Sequence, residues 1–301
     1  MKMKAQNDRL ARRTTLSGIL FMVPSAIFIG YAILVPAVWN LILSFQKWDG
    51  FNAPKWVGLR NYVKCFTNST MRSAMTNSLF FALFMTVFAV VIGLIAALLI
   101  FRLGKREGAV YRLFIFMPSM LPTAIIGLLF TFLYNPEMGL VNQFLRLVGL
   151  ESWTRAWLSD LSCNLYAIGV VGIWRMAGLT MMLVYADLQS LPVTFFEAAR
   201  LDGAGYFRQV TRIILPLIKP IVLLSTIYTL IINFKTYDLI YVMTKGGPGI
   251  STKTVPLLVM ETGFGYNEFG YAAAIGFVLA AVIYLIMGGV NLLLGGEKYE
   301  Y

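Results

Sequence analysis

Six long apolar runs constrain the fold of this chain more than any other feature of its sequence. They extend over Leu16–Phe45, Asn77–Phe101, Leu113–Tyr134, Asn164–Tyr185, Ile213–Ile232 and Tyr271–Leu294. Each run has roughly the ~20 residues with which an α-helix crosses a ~30 Å hydrocarbon layer. Because lipid offers the backbone no hydrogen-bond partner, these runs must form helices rather than open strands. The sequence therefore predicts an all-α membrane protein with six transmembrane helices in one domain, residues 1–301.

The first run is longer than a membrane span requires. It contains Pro24, Gly30 and Pro36, so we expect this helix to be tilted or kinked. The basic N-terminus before it could begin a secretory signal, but the apolar core of a signal has only about 7–15 residues. The greater length of this run favours an uncleaved first span.

The distribution of Lys and Arg predicts the orientation in the membrane. With a cytoplasmic N-terminus, the inward segments would be 1–15, 102–112, 186–212 and 296–301, which carry 13 basic residues in 59 positions. The outward segments 46–76, 135–163 and 233–270 would carry 10 in 98. Positive charge concentrates on the cytoplasmic side of membrane proteins, so both termini are expected in the cytoplasm. The net charge of +11 then reflects topology, and nucleic-acid binding is excluded because no segment could fold into a basic soluble domain.

Several kinds of chemistry have no residues to support them. The chain has no histidine, and all 14 acidic residues lie outside the six runs. Proton-coupled transporters use buried carboxylates or histidines, and metal sites need clusters of His, Cys or carboxylates. The stretch GGPGISTKT at 246–254 lacks the second glycine of a phosphate-binding P-loop. We therefore expect no metal, no bound cofactor and no ATP hydrolysis by this chain.

The two cysteines, Cys65 and Cys163, both fall in outward segments. They could form a disulfide in an oxidising compartment. Two cysteines without a larger framework are more often unpaired, and the sequence leaves both alternatives open.

A polar segment separates the fourth run from the fifth and reads SLPVTFFEAARLDGAG over 190–205. Thr194 and Glu197 have the spacing of a capping box, and Gly203 and Gly205 are typical of a helix end. They predict a short cytoplasmic helix over 195–202. So short a helix is marginal alone in water and needs a surface on which to pack.

Two pairs of side chains in this segment suggest how it could bind. Ala198 and Ala199 make one side of the helix thin, so that a groove on a partner could approach closely. Phe195 and Phe196 would add an apolar anchor. A capped surface helix without a partner is the other interpretation of the same residues.

The spacing within and after this segment resembles a known loop. Glu197-Ala198-Ala199 is followed after three residues by Gly203, and after nine more by Ile213-x-Leu215-Pro216. This pattern is similar to the EAA loop of permease subunits in binding-protein-dependent ABC importers. Three further segments resemble the same family: GLRNYVKCF (58–66), YRLFIFMPSMLP (111–122) and NFKTYDLIYVMTKGGP (233–248), the last of them like sugar-type permeases.

The resemblance implies the type I ABC importer permease fold and a set of partners. The short helix would be a coupling helix that docks in a cleft of a cytoplasmic ATPase subunit, which holds ATP and Mg. This chain would pair with a second, homologous permease as a heterodimer, with two ATPases and an extracytoplasmic solute-binding protein, in the cytoplasmic membrane of a prokaryote. The cargo would be a carbohydrate.

Polar residues on the fifth helix predict a further site. Thr226, Thr229, Asn233 and Thr236 share one helical face, which could pack against other helices or line a wet cavity. The resemblance to the maltose type implies that the lining residues are Thr229, Ile232, Asn233 and Thr236, together with Trp174, Arg175, Met176 and Leu179 of the fourth helix.

Arg175 departs from the maltose-type pattern, which has an apolar residue at that position. A mid-span arginine costs about 2.5–3.5 kcal/mol on insertion scales, so it should have a partner. It could bind an anionic sugar group in bidentate fashion or pair with a backbone carbonyl or the partner permease.

These alternatives leave several functions open. A neutral oligosaccharide is the first expectation for the cargo, and an acidic saccharide or glycerol phosphate follows because of Arg175. The glycine-rich loop 246–249 could receive the solute-binding protein or be a bare connector. A self-sufficient channel or carrier has only the six spans in its favour, and a membrane enzyme would need a nucleophile–base pair that the sequence lacks.

Overall fold

The computed structural model describes residue 18 and residues 20–294. The basic N-terminus, the beginning of the first apolar run at Leu16 and the tail 296–301 lie outside the described residues. The cytoplasmic location of the two termini therefore stays a prediction from the charge distribution.

The described chain is built almost entirely of helices. In chain order they are α1 (Leu20–Ser44), α2 (Arg60–Thr67), α3 (Ser69–Phe101), α4 (Lys105–Met120), α5 (Thr123–Leu133), α6 (Leu140–Leu147), α7 (Asn164–Ser190), α8 (Val193–Leu201), α9 (Tyr206–Leu217), α10 (Lys219–Phe234), α11 (Asp238–Thr244), α12 (Val255–Gly265) and α13 (Phe269–Leu294). Two short strands, β1 (Gln46–Lys47) and β2 (Lys55–Trp56), form an antiparallel hairpin in which Gln46 lies opposite Trp56.

Four of these helices, α1, α3, α7 and α13, are each long and apolar enough to cross a membrane. Two further pairs of helices are together long and apolar enough but are bent, α4 with α5 at 97° and α9 with α10 at 66°. With each pair taken as one crossing, the described chain has up to six spans, in agreement with the predicted fold class. The expectation that the third and fifth runs form continuous helices is wrong.

Prolines cause both bends. In the α4–α5 pair, Leu121 precedes Pro122 and adopts an extended conformation with φ −80° and ψ 142°, because the proline ring disfavours a helical residue before it. In the α9–α10 pair, Pro220 has no N–H to donate to the carbonyl of Pro216, and its ring crowds that carbonyl. The break falls between them at Ile218.

The first helix is irregular where its proline and glycine content predicts. Residues Gly30–Leu34 form a π-helical turn, closed by a bond from the Val35 N–H to the Gly30 carbonyl. Nearly all of α1 is exposed in the isolated chain. Its apolar surface must therefore be covered by lipid or by another subunit.

The core lies around α7, the most buried of the spans. Small residues allow its neighbours to approach closely. A Cβ added to Gly178 would overlap the Ile115 carbonyl of α4, and one added to Gly93 of α3 would lie 2.7 Å from the Ala177 carbonyl. Close backbone approach at small residues is how membrane helices gain packing energy.

The outward segments contain four helices that the apolar runs do not predict: α2, α6, α11 and α12. The most buried of them is α12, whose residues Val255, Leu257 and Leu258 belong to the hydrophobic core. Its apolar stretch is too short to read as a span, which is why the sequence alone suggests a loop.

Candidate functional site

The short helix predicted between the fourth and fifth spans exists as α8, but it begins two residues earlier than expected. Its N-cap is Pro192, with ψ 130°, and no side chain caps the helix. Thr194 therefore lies inside the first turn, where a capping role is impossible because an N-cap residue must have a non-helical backbone. The predicted capping box of Thr194 and Glu197 is wrong.

The predicted glycine stop is confirmed at Gly203. Its φ is +73°, and its N–H donates to the Arg200 carbonyl at 3.0 Å while the Ala204 N–H donates to the Ala199 carbonyl at 2.9 Å. This pair of bonds is a Schellman motif, which satisfies the last carbonyls of a helix. Gly205 has a different role from the one expected, because it is the N-cap of α9.

The two alanines of the segment face in different directions. Ala199 is buried against the chain, whereas Ala198 and Glu197 are exposed. Phe196 anchors the helix, with its ring centroid 5.9 Å from that of Phe101 in α3. The expectation of a thin side made of both alanines is wrong, because Ala199 already forms part of the inner contact. The free surface of α8 centres on Glu197 and Ala198.

The helix that follows is fixed firmly to the membrane domain. Tyr206 of α9 donates from its hydroxyl to the Leu98 carbonyl at 2.9 Å and stacks under the Arg102 guanidinium at 4.3 Å. Gln209 donates to the Ala204 carbonyl at 2.8 Å. These contacts join α9 to the end of α3 and to the turn that precedes α9.

The remaining residues of the EAA-like pattern lie on α9, near its bend. Ile213 and Leu215 are half-buried and Pro216 is exposed. With Glu197, Ala198, Ala199 and Gly203, the pattern extends from the exposed helix α8 to the break at Ile218. The spacing thus joins a surface element to a bend in the fifth crossing.

The predicted polar face of the fifth crossing is largely packed within this chain. Thr229 and Asn233 are buried, and Asn233 Nδ2 donates to Thr86 Oγ1 at 3.0 Å. Thr226 Oγ1 donates to the Val222 carbonyl of its own helix at 2.7 Å. Thr236 lies beyond the end of α10 at Phe234, so the prediction that it shares this helical face is wrong. It is buried in the turn that follows, and its carbonyl accepts a bond from Thr254 Oγ1 at 3.1 Å.

Some polar atoms at this interface have no hydrogen-bond partner among the described residues. They are Asn233 Oδ1, Ser225 Oγ and Thr180 Oγ1. Sequence reasoning missed Ser225 and Thr180, although Ser225 stands one turn before Thr229 on the same face. Burying such groups without a partner is costly.

The predicted substrate-contact residues of the fourth span differ in how far they are buried. The Arg175 guanidinium forms no hydrogen bond and no ion pair with the described residues, and its Nε is buried without a partner. Trp174 is 40% exposed and meets the Phe130 ring edge-on at 5.5 Å. Met176 is buried, while Leu179 and Ile232 are half-buried. The structure thus exposes part of Trp174, leaves Arg175 half-buried with its Nε covered, and holds Met176 inside.

The outward segment 244–262 is tightly bonded. Asn77 Nδ2 donates to the carbonyls of Ile250, Ser251 and Lys253 at 3.4, 3.0 and 2.9 Å. Asn164 Nδ2 donates to Ser251 Oγ at 2.9 Å. Lys253 pairs with Glu261 at 2.6 Å. These bonds fix the shape of the segment, and a role for its loop 246–249 in receiving the solute-binding protein stays a prediction.

Both cysteines are free thiols. Cys65 is buried, and burial raises its pKa to about 11. Within the described residues, no group of three or more His, Cys, Asp or Glu side chains could hold a metal ion.

Comparisons with known proteins agree with one another. The family model described as "Binding-protein-dependent transport system inner membrane component" matches residues 89–294. The probable ABC transporter permease protein YurN of Bacillus subtilis is 35% identical over 265 residues, which cover 87% of this chain and 90% of the relative. The diacetylchitobiose uptake system permease protein NgcF of Streptomyces coelicolor is 32% identical over 292 residues, covering 92% and 82%.

The fold also matches a solved structure. A bacterial ABC transporter involved in the import of the acidic polysaccharide alginate contains a chain that superposes with a TM-score of 0.80. The match covers 95% of this chain and 98% of that one, at 22% identity. At this identity the likeness concerns the fold.

Proposed function

Because this chain belongs to the family of binding-protein-dependent transport system inner membrane components, we propose that it forms half of the translocation pathway of an ATP-driven importer for a carbohydrate. An oligosaccharide is the cargo that this proposal names first. The chain binds no nucleotide itself; ATP and Mg belong to a separate ATPase subunit.

The exposed face of α8 carries the proposal of coupling. A helix of nine residues is too short to be stable alone in water. This one presents Glu197 and Ala198 outward, while Ala199 and Phe196 pack against the chain. Docking of α8 in a cleft of the ATPase would give Glu197 and Ala198 a partner surface. Closure of two ATPase subunits would then move α8, and through α9 the bend at Ile218.

The other partners follow from the geometry of an incomplete pathway. The nearly bare surface of α1 fits a chain that is completed by a second, homologous permease. The preformed outward segment 244–262 is a surface on which an extracytoplasmic solute-binding protein would deliver its cargo. Such an assembly belongs in the cytoplasmic membrane of a prokaryote.

The name of one relative supports the carbohydrate cargo. NgcF is described as a diacetylchitobiose uptake permease, and it aligns with this chain over nearly its whole length. We assign substrate contact to the exposed Trp174 and the half-buried Arg175 of α7. Thr229 and Asn233 of α10, and Thr236 just beyond its end, are buried in this chain and would contact the substrate once the helices around them move apart. Half-buried Leu179 and Ile232 and buried Met176 would shape the wall behind them.

Arg175 favours a second candidate, an acidic saccharide or glycerol phosphate as cargo. Its guanidinium has no ion-pair partner within 4.0 Å among the described residues, and its Nε is buried. A planar guanidinium binds carboxylate or phosphate in bidentate fashion. An anionic group on the cargo would supply the missing partner.

Charge reversal at α8 tests the coupling. We expect Glu197→Lys to reduce ATP-dependent uptake at least about tenfold, which corresponds to an increase of roughly 1.4 kcal/mol in the activation free energy. We also expect it to weaken co-purification with the ATPase. Glu151→Lys makes the same change at an exposed outward position and should leave both unchanged. Normal uptake and normal co-purification in the Glu197 variant would remove the basis for the coupling assignment.

Substitution of Arg175 distinguishes the two kinds of cargo. Uptake of neutral and acidic oligosaccharides by the assembled complex would be compared in the parent and in Arg175→Met. If the cargo is acidic, the variant should lose about tenfold or more with the acidic sugar only, because a charge-assisted bond contributes roughly 1.5–3 kcal/mol. An equal loss with both sugars would assign Arg175 to the structure.

A further inference from the structure

The outward helix α2 lies at the level where two membrane spans end. Its Asn61 Nδ2 donates to the carbonyls of Ser44 and Gln46, at the last turn of α1, at 2.9 Å each. Its Lys64 pairs with Glu268, immediately before α13 begins. The apolar parts of α1 and α13 stop at these contacts, so α2 lies at the outer boundary of the hydrocarbon layer.

Three sectors divide the surface of α2. Asn61 and Cys65 are buried against the protein. Leu59, Val63 and Phe66, at i, i+4 and i+7, form an apolar stripe whose members are all more than half exposed. The basic residues Arg60 and Lys64 occupy the third sector of the helix, next to the apolar stripe. A helix at a membrane boundary with an apolar stripe beside a basic edge has the pattern of an interfacial helix.

The same division recurs in α6. Asn142 is buried and accepts a bond from Trp157 Nε1 at 2.8 Å, while Leu140, Phe144 and Leu147 form an exposed stripe with the same spacing. This second helix has only one basic residue, Arg146. The two helices thus share an apolar stripe and differ in charge.

Beside α2 the chain forms a cleft of about 950 Å³ between the β-hairpin, α2 and the beginning of α13. Four basic side chains line it: Lys47, Lys55, Arg60 and Lys64. Two acids, Asp49 and Glu268, also line it, so that the cleft keeps an excess of positive charge.

The two acids are already engaged. Glu268 pairs with Lys64 at 2.5 Å. Asp49 accepts bonds from the Phe51 and Asn52 amides and from the Asn52 side chain, and these hydrogen bonds, led by the Asn52 amide, lower its pKa to about 2. No described acid pairs with Lys47, Lys55 or Arg60 within 4.0 Å.

We propose that α2 and α6 lie in the outer interface of the bilayer as lipid anchors, and that the basic cleft beside α2 binds the phosphate group of an anionic phospholipid. The stripe Leu59, Val63 and Phe66 enters the acyl region, while Lys47, Lys55 and Arg60 face the headgroup. The α6 stripe inserts in the same way, but without selectivity for anionic lipid.

The position of the unpaired basic residues favours a lipid over a protein on this surface. The unpaired bases stand directly beside the stripe, at the height of a headgroup, and each basic residue near an anionic membrane surface strengthens binding. A protein partner would instead need acids to match them.

Spin labels on the assembled complex in phospholipid nanodiscs test the insertion. Cysteines would replace Val63, Phe66, Phe144 and, as an aqueous control, the exposed Glu151, in a background that lacks Cys163 and keeps the buried Cys65. Labels at 63, 66 and 144 should be accessible to oxygen and shielded from a water-soluble nickel chelate, and the label at 151 should show the reverse. Equal access of the chelate at 63 and 151 would overturn the proposal, and so would shielding from both reagents, which would indicate a covering protein.

Lipid retention tests the headgroup site. Delipidated complex would be titrated with phosphatidylglycerol or phosphatidylcholine and bound lipid counted by native mass spectrometry. Replacing Lys47, Lys55 and Arg60 with Gln should weaken phosphatidylglycerol binding about fivefold for each residue replaced, whereas Arg146→Gln should change nothing. Equal binding of the two lipids by the parent complex would refute the site, as would displacement by inorganic phosphate at the same concentration, which would identify a site for a soluble anion.

Discussion

The outward segment 244–262 and the cytoplasmic helix α8 both connect membrane spans, yet they satisfy their polar groups in different ways. The outward segment is held by side chains of α3 and α7, with Asn77 alone reaching three carbonyls. Helix α8 rests on Ala199 and Phe196, closes its own end through Gly203, and leaves Glu197 and Ala198 exposed.

This difference indicates where the chain is complete and where it is not. A segment that satisfies its own carbonyls has its shape before any partner binds, as a receiving surface requires. A helix as short as α8 is marginal alone in water. The segment 244–262 is thus shaped within this chain, whereas the exposed face of α8 is the surface that the proposed ATPase contact would cover.

The largest expected effect on transport should come from the exposed alanine, Ala198. Ala198→Leu places bulk on the free surface of α8, so ATP-dependent uptake should fall at least about tenfold while the melting temperature of the isolated chain stays unchanged. Ala199→Leu is the matched control: it overpacks a buried site and should lower the free energy of unfolding by about 1–3 kcal/mol. Equal effects of the two substitutions on stability would show that the alanines do not differ as described.

A substitution at Asn77 should affect the outward side strongly. Asn77→Ala removes the donor to three carbonyls and leaves them partly unsatisfied, so the free energy of unfolding should fall by roughly 2–3 kcal/mol. Thermal unfolding in detergent measures it. Thr76→Ala is the control, because Thr76 is exposed and bonds only within its own helix, to the Arg72 carbonyl. A neutral Asn77 variant would mean that the outward segment is not held by these bonds.

The smallest expected change in the free energy of unfolding comes from substituting two glycines, Gly246 and Gly203, which both have a positive φ. Gly246→Ala adds strain at φ +85° and brings a Cβ within 2.9 Å of Leu257, so it should cost about 2 kcal/mol. Gly203→Ala has the same kind of strain in open space and should cost about 1 kcal/mol. Urea unfolding curves would separate the two; a larger loss at Gly203 would contradict the order.

Much of the fold can be predicted from the sequence because membrane spans depend on local composition. The six runs and the glycine end of α8 each follow from a few neighbouring residues. The bends follow from Pro122 and Pro220, although the runs alone conceal them.

Long-range contacts set the limit of that prediction. The bonds from Asn77 to residues 250–253 join positions more than 170 residues apart, and no local pattern announces them. The burial of Ala199 and the exposure of Ala198 depend on the residue at which α8 begins. Pro192 sets that start, whereas the spacing of Thr194 and Glu197 suggests a later one. The same holds for the stripes of α2 and α6, whose free faces appear only once their buried asparagines are located.

Hydrogen exchange of the α8 amides is the most direct test of the account. Exchange would be measured for residues 193–201 and 244–262, in the isolated chain and in the complex assembled with its ATPase. The account predicts fast exchange in α8 that slows at least about tenfold on assembly, while the outward segment is protected in both states. Slow exchange in α8 before assembly, or no change on assembly, would contradict it.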